Sequence, residues 1–317
     1  MITSEYTLLS SLVDNSATIR NQVAQIQEQV ATGRVSDTYS GLGNTARTSL
    51  DLNPQIQHYA TWQSNIDAAT GRLDVTQTAL TSINSIASSF FAQVNSVNTK
   101  NPTSVASLAQ NAKSALQQVA DLVNSKSGDT FVFSGTDSAN APLPSTDPTV
   151  LSTALLASDT ATAPFSTTLT STPPQIEVGN NQWVKIGLIA NANTLATSAA
   201  PTTGSYIRDI LKSLASLAGL TSGATADTAV SGARDLLSSG ISALATEQGA
   251  LGNVQSSLTA RKTQLSSVAA ALTTQLASVE QVDPAAAITK ASALQTQLQA
   301  SYQIIAKSQS LSLASFI

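Results

Sequence analysis

The chain of 317 residues is long enough for two or three domains and a sizeable core, yet aromatics make up only 4% of it and charged residues 11%. A net charge of -4, a sequence pI near 4.9 and the lack of any lysine or arginine cluster exclude a surface built to neutralise nucleic-acid phosphates. The absence of cysteine excludes disulfides and thiolate metal sites, and no window approaches the roughly 18 apolar residues of a membrane span.

Ala, Ser, Thr, Gln and Leu dominate what remains. Small side chains bury little area each, so helices made of them gain stability by packing along their length or against other subunits. An extended or assembled protein is therefore expected. The first residues, Met1 to Val13, carry Glu5, no basic start and no long apolar core, so no general secretory signal is expected there.

In chain order, Leu9, Leu12, Ser16, Ile19, Val23, Ile26 and Val30 alternate three and four apart, which predicts one stripe of a helix ending near Gly33. Asp37, Ser40, Gly41 and Gly43 then collect turn chemistry. Asn53-Pro54 reads as a helix start, N-cap followed by proline in the first turn. From Trp62 the stripe runs without a slip through Ile66, Ala69, Leu73, Thr76, Leu80, Ile83, Ala87, Phe90, Val94 and Val97. A helix over 55–98 would be roughly 65 Å long. Asn101-Pro102 repeats the start signal and opens a second helix to about Ser125, followed by a short β-type run, Thr130-Phe131-Val132-Phe133.

Between 138 and 204 helical periodicity is absent and seven of the ten prolines gather. Ile176-Glu177-Val178, the turn Gly179-Asn180-Asn181 and Trp183-Val184-Lys185-Ile186 predict a hairpin, with Trp183 in its core. A small inserted β-rich domain is expected here; the competing reading is a disordered Ser/Thr/Pro linker. Helices return with Ile207, Leu211, Leu214 and Ala218 on one face.

The ladder Leu244, Leu251, Leu258, Leu265, Leu272 and Val279 then recurs every seven residues, with Ala269 and Leu276 filling part of the second seam. Gln248, Gln255 and Lys262 occupy alternate seam positions, so this helix, placed over 226–280, must lie against several neighbours. Asp283-Pro284 starts a last helix carrying Ile288, Ala291, Leu294, Leu298, Tyr302 and Ile305. The chain closes on Leu311, Leu313, Phe316 and Ile317, an apolar tail that a monomer has no reason to expose. Residues 1–33 hold Glu5, Asp14, Glu28 and Arg20, while 284–317 hold Lys290 and Lys307 with no acid, so the two ends favour pairing.

Candidate catalytic groups are sparse. His58 is the sole histidine and sits beside Tyr59 at a helix start, no Gly-x-Ser-x-Gly elbow occurs, and Gly41-Leu42-Gly43 lacks a third phosphate-binding glycine. No cofactor is expected and the chain does not read as an enzyme.

The chain resembles the flagellin superfamily. The residues that carry the resemblance are Gln29-Val30-Ala31-Thr32-Gly33-Arg34, Gly128-Asp129-Thr130-Phe131-Val132-Phe133-Ser134-Gly135-Thr136, Leu251-Gly252-Asn253-Val254-Gln255, and the tail from Val282-Asp283 through Ala300-Ser301-Tyr302-Gln303 to Leu311-Ser312-Leu313. It covers about 1–137 and 205–317. The Phe-Val-Phe-Ser-Gly run and the final Ser-Phe-Ile are similar to the branch that joins hook to filament rather than to filament subunits. One departure is the stretch Ser36 to Gly43, which replaces the family's usual Asp-Asp-Pro-Ala segment.

The resemblance implies a mainly α fold: an elongated antiparallel helical bundle or coiled coil from both termini with an inserted small β-rich domain. It implies a terminal axial coiled coil from 1–33 and 284–317, a helical second layer from 34–137 and 205–283, and an outer domain from 138–204. Subunit contacts are expected at Leu9, Leu12, Ile19, Val23, Ile26, Val30, Ile288, Leu294, Leu298, Tyr302, Ile305, Leu311, Leu313 and Phe316. Implied partners are further copies of the chain, the first hook-associated protein, flagellin and a flagellar export chaperone, with no nucleic acid and no membrane. Export through the flagellar type III channel, without a cleaved signal, to the bacterial flagellum outside the cell is implied as well. Two alternatives remain open, a filament-forming flagellin and a flagellin-type surface adhesin.

Overall fold

The computed structural model describes residues 2–157, 163–169, 172–197, 200–223 and 225–314, and side chains between residues 10 and 307 of these. The elements in order are α1 (Ile2–Thr32), a 3-10 turn (Tyr39–Thr45), α2 (Ala46–Ser96), α3 (Pro102–Val123), β1 (Lys126–Ser127), β2 (Thr130–Phe131), α4 (Pro148–Ala157), β3 (Gln175–Gly179), β4 (Gln182–Lys185), α5 (Tyr206–Ala218), α6 (Ala226–Glu280) and α7 (Pro284–Ala314). The fold is a helical bundle with a small β insert. Two compact units form, one from Met1–His58 with Ser267–Ile317 and one from Tyr59–Ser266.

In the Tyr59–Ser266 unit the stripe read on α2 is the core. Ile66, Ala69, Leu73, Thr76, Leu80, Ile83, Ala87, Phe90 and Val94 are all buried, together with Leu244, Leu251, Leu258 and Leu265 of the ladder. The polar seam positions of α6 turn toward α2 and pair with it. Gln255 Nε2 donates to Asp74 Oδ1 at 2.8 Å, the Lys262 ammonium meets Asp67, and Asn84 and Gln248 share a hydrogen bond. Partner numbers rise on α2 as they fall on α6, so the two run antiparallel. A leucine seam flanked by exposed polar pairs is the arrangement a heptad with Gln and Lys at alternate positions favours.

Asn101 caps α3, its side chain accepting from the Thr103 and Ser104 amides, as the Asn-Pro signal predicts. Val105, Leu108, Ala112, Leu116, Val119 and Val123 give α3 one buried face. α5, capped by Ser205, packs against α3 and α4 and against α6 at Gly240, where an added Cβ would lie 2.9 Å from Ile210 and 3.3 Å from the Tyr206 carbonyl. Only glycine allows that approach.

The insert holds the predicted hairpin. β3 and β4 are antiparallel and pair Ile176 with Val184 and Glu177 with Trp183 across the turn at Asn180 and Asn181. Cross-strand partners share a face. The Ile176–Val184 pair packs on the core, so the Glu177–Trp183 pair faces out and Trp183 is 60% exposed. This corrects the expectation of a hairpin-core tryptophan: the β-branched Ile176–Val184 pair takes the inner face, and the larger ring is left outside. The hairpin is pinned by Asn65, which donates to the Glu177 carbonyl, and by Arg261 Nε, which donates to the Val178 carbonyl at 3.1 Å.

The lead-in to the insert is also tied down. Phe131 sits in a two-residue antiparallel pairing with Lys126, Arg72 Nη2 donates to its carbonyl at 3.0 Å, and the Ala190 amide returns to the Phe133 carbonyl. Burial holds the Arg72 pKa below its ordinary value. The insert carries in addition a helix that periodicity did not predict, α4. Its Asp147 Oδ1 accepts from the Thr149 and Val150 amides, Pro148 is the first helical residue, and Leu151 and Leu155 are buried four apart.

A second correction falls on Asn53-Pro54. The helix begins at Ala46 and Pro54 lies inside it. The Asn53 side chain reaches back to the Ser49 carbonyl at 3.0 Å and across to Glu280 instead of capping the amides ahead. Tertiary partners for Ser49 and Asn53 outweigh the local start signal, although proline inside a helix costs about 3 kcal/mol.

Candidate assembly surface

The other unit is built on the two ends of the chain. α1 stops at Gly33, whose φ of +71° suits glycine and whose amide closes on the Gln29 carbonyl at 2.9 Å. α7 starts at Asp283-Pro284, where Asp283 Oδ1 accepts from the Ala285 and Ala286 amides. α1 and α7 pack on each other. On α1, Ser16, Ile19, Val23 and Ile26 are buried and Leu12 and Val30 half-buried. On α7, Ala287 is buried and Ala291, Leu294, Leu298 and Ile305 are half-buried.

The joint between the helices is a knot of backbone and side-chain bonds. The Val35 amide donates to the Glu280 carbonyl at 2.8 Å and the Val282 amide to the Gly33 carbonyl at 3.1 Å. The Glu280 carboxylate accepts from Arg34 Nη2 at 3.2 Å and from the Ser49 hydroxyl, with Asn53 beside it. Gln29 Nε2 closes the loop onto the Val35 carbonyl at 2.7 Å. Glu280 is the residue through which the end of α1, the start of α2 and the end of α6 meet. The helical pattern alone gives no sign of it, and an acid in the last turn of a helix, where the dipole disfavours negative charge, was the one available clue.

Of the residues expected at subunit contacts, the structure separates two groups. Ile19, Val23 and Ile26 are buried within the single chain, and Leu12, Val30, Leu294, Leu298 and Ile305 are partly so. Ile288 and Tyr302 stand 54% and 46% exposed, and Ile304, which the stripe did not include, is 53% exposed. Val13 and Leu50 are each 50% exposed. The side chains of Leu9, Leu311 and Leu313, and all of Phe316, lie outside the described residues.

His58 is exposed on α2, and among the described residues no group of three or more His, Asp or Glu side chains is gathered as a metal site. No described helix is long and apolar enough to cross a membrane. The cleft formed by Gln25, Glu28, Gln29, Thr32 and residues 34–38 is open and lined by amides and hydroxyls together with Glu28, Asp37 and Arg34.

A chain whose two ends fold on each other, with apolar side chains left standing on that pair, is a helical structural protein suited to packing against further subunits. Comparison with known families agrees. The bacterial flagellin N-terminal helical region matches residues 4–138 and the bacterial flagellin C-terminal helical region matches residues 235–317, between them about two thirds of the chain. The chain belongs to the flagellin family.

Among curated proteins none matches it. Among solved structures it is similar in fold to a candidate flagellar hook-associated protein from Vibrio parahaemolyticus, with 14% identity and a TM-score of 0.59, covering 77% of this chain and 99% of that one. It also matches the FlgL structure of Xanthomonas campestris at 14% identity over 71% of this chain and 99% of that one, with a TM-score of 0.42.

Proposed function

We propose that the chain is a hook–filament junction subunit of the bacterial flagellum, which stacks head to tail in a short helical assembly between the first hook-associated protein and the flagellin filament. The observation that supports assembly is the paired α1–α7 ends with Ile288, Tyr302 and Ile304 left about half exposed. Apolar side chains left half exposed along a helix are stabilised when a neighbouring copy covers them. A heterologous contact of this kind does not close on itself and generates a helical array. The fold likeness to a hook-associated protein and the Phe131-Val132-Phe133-Ser134-Gly135 run favour the junction over the filament.

In this reading 1–33 and 284–317 form the innermost layer, 34–137 and 205–283 the second, and 138–204 the outer domain. Leu9, Leu12, Val30, Leu294, Leu298, Ile305, Leu311, Leu313 and Phe316 extend the contact that Ile288 and Tyr302 begin. An export chaperone holds the terminal helices before assembly, and the flagellar type III channel carries the chain out.

Electron microscopy of the purified protein, alone and with the first hook-associated protein, tests the role. The expected result is monomers alone and short stacks only on the partner. Long filaments from the protein alone would make it a flagellin. A second reading, a surface adhesin, gains from the 60% exposure of Trp183 on the outward hairpin face. Saturable binding on a glycan panel, lost in Trp183→Ala, would support it, and a blank panel would remove it.

A further inference from the structure

Each helix of the chain-end pair carries a second stripe that its partner does not cover. α1 is buried through Ser16, Ile19, Val23 and Ile26, and α7 through Ala287, with Ala291, Leu294, Leu298 and Ile305 half-buried. One residue back on α7, Ala286, Lys290, Ala293, Gln297, Ala300 and Ile304 alternate four and three apart and are all exposed. At about 100° per residue this stripe lies directly beside the buried one. A solvated flank is polar and charged, whereas this one holds three alanines and an isoleucine, with Lys290 as its one charged group.

On α1, Val13, Ala24 and Glu28 are exposed and fall within about 60° of one another, clear of the buried stripe. Among the described residues Glu28 and Lys290 form no ion pair within the chain. The opposite charges of the two ends therefore face outward. Residues 284–317 contain no acid, so Lys290 finds an opposite charge on α1 and not on another α7.

The two stripes also match in length. Counted from Thr32, Glu28 and Val13 lie about 6 and 29 Å along α1; counted from Pro284, Lys290 and Ile304 lie about 9 and 30 Å along α7. Val13 is 50% exposed and Ile304 53%. Resting on the assembly reading above, we propose that the Lys290–Ile304 flank of α7 docks on the Val13–Glu28 stripe of α1 in a second copy of the chain. The two helices run antiparallel at nearly the same height, with Glu28 against Lys290 and Val13 against Ile304. Because the mating stripes belong to different helices of the pair, every copy uses one on each side. The contact is heterologous and repeats from copy to copy. The ion pair adds little to an isolated chain, but where the interface excludes water it fixes the register and penalises like charges.

Stacks of the full-length chain nucleated on the first hook-associated protein test this by sedimentation. Glu28→Lys and Lys290→Glu, each alone, should weaken association by about tenfold or more, and the two together should restore it to within about threefold of the parent. Both side chains are exposed, so circular dichroism of each monomer should match the parent. The chain has no cysteine, so a mixture of Val13→Cys chains with Ile304→Cys chains should form disulfide-linked dimers on oxidation of the stacks, and neither variant should do so by itself. Single reversals that stack like the parent, a double variant no better than either single one, or links formed by one cysteine variant alone would overturn this contact and leave the assembly reading standing. A parent chain that forms no stacks on the partner would instead remove that reading, and the contact with it.

Discussion

The exposed positions on α7 allow assembly to be separated from folding. Ile288 and Ile304 are each a little over half exposed. Full burial of such a side chain contributes about 1.5–3 kcal/mol, so roughly 1 kcal/mol per site remains to be gained from a neighbour. Lysine at these positions keeps a four-carbon stem against the helix pair and lifts its ammonium into water, which leaves the isolated chain's stability within about 1 kcal/mol of the parent. In an assembly the same ammonium must be covered, at a cost of several kcal/mol on top of the lost burial. The double variant Ile288→Lys with Ile304→Lys should therefore weaken subunit association by more than about 100-fold.

The assay has two arms, sedimentation of stacks nucleated on the partner and urea unfolding of the monomer. Ile26→Ala is the contrast, because Ile26 is 6% exposed and its truncation should destabilise the monomer by about 2–5 kcal/mol. Normal stacking by the double lysine variant, or a stability loss as large as that of Ile26→Ala, would refute the view that these side chains face neighbouring subunits.

Other outcomes follow from the same structure. Deleting 284–317 should leave the Tyr59–Ser266 unit helical by circular dichroism and abolish stacking, since only α1 loses its packing partner; loss of helix throughout would contradict the division into two units. Glu280→Ala should destabilise the unit of the chain ends by about 1–3 kcal/mol, chiefly through the buried Ser49 hydroxyl left without its acceptor. Because the Arg34 side chain is 49% exposed, that loss measured by urea unfolding should be nearly the same at low and high salt. Tyr206 is protonated in the fold above its ordinary pKa of 10.0. Its contribution is complete below pH 10 and is lost as pH rises beyond it, so alkaline unfolding should release a phenolate absorbance step that Tyr206→Phe lacks, with the native titration unchanged by that substitution.

The sequence by itself determined the helices and where most of them start. Period is a local property: the seven-residue ladder from Leu244 to Val279 and the stripe from Trp62 to Val97 each name one buried face, and Asn101-Pro102 and Asp283-Pro284 satisfy their own first amides whatever surrounds them. The same N-cap and proline signal stood at Asp147-Pro148 and marks α4, although the proline-rich surroundings hid its short run of apolar residues. The flagellin likeness was legible in the two ends for the same reason, since helices that must pack on copies of themselves keep a regular pattern.

The tertiary structure alone decided which local signal prevails when a distant residue competes for the same atoms. Asn53 gave up its cap for Ser49 and Glu280. Trp183 yielded the inner face of its hairpin to Ile176 and Val184, a choice the alternation leaves open because a strand pattern names two faces and not which is inside. Glu247 reads in sequence as one more polar residue beside a leucine seam, and its meaning depends on three amides more than fifty residues earlier in the chain. Which flank of α7 stands open likewise rests on where α1 lies, because a helical stripe gives the width of a buried face and only a packed partner fixes its edges.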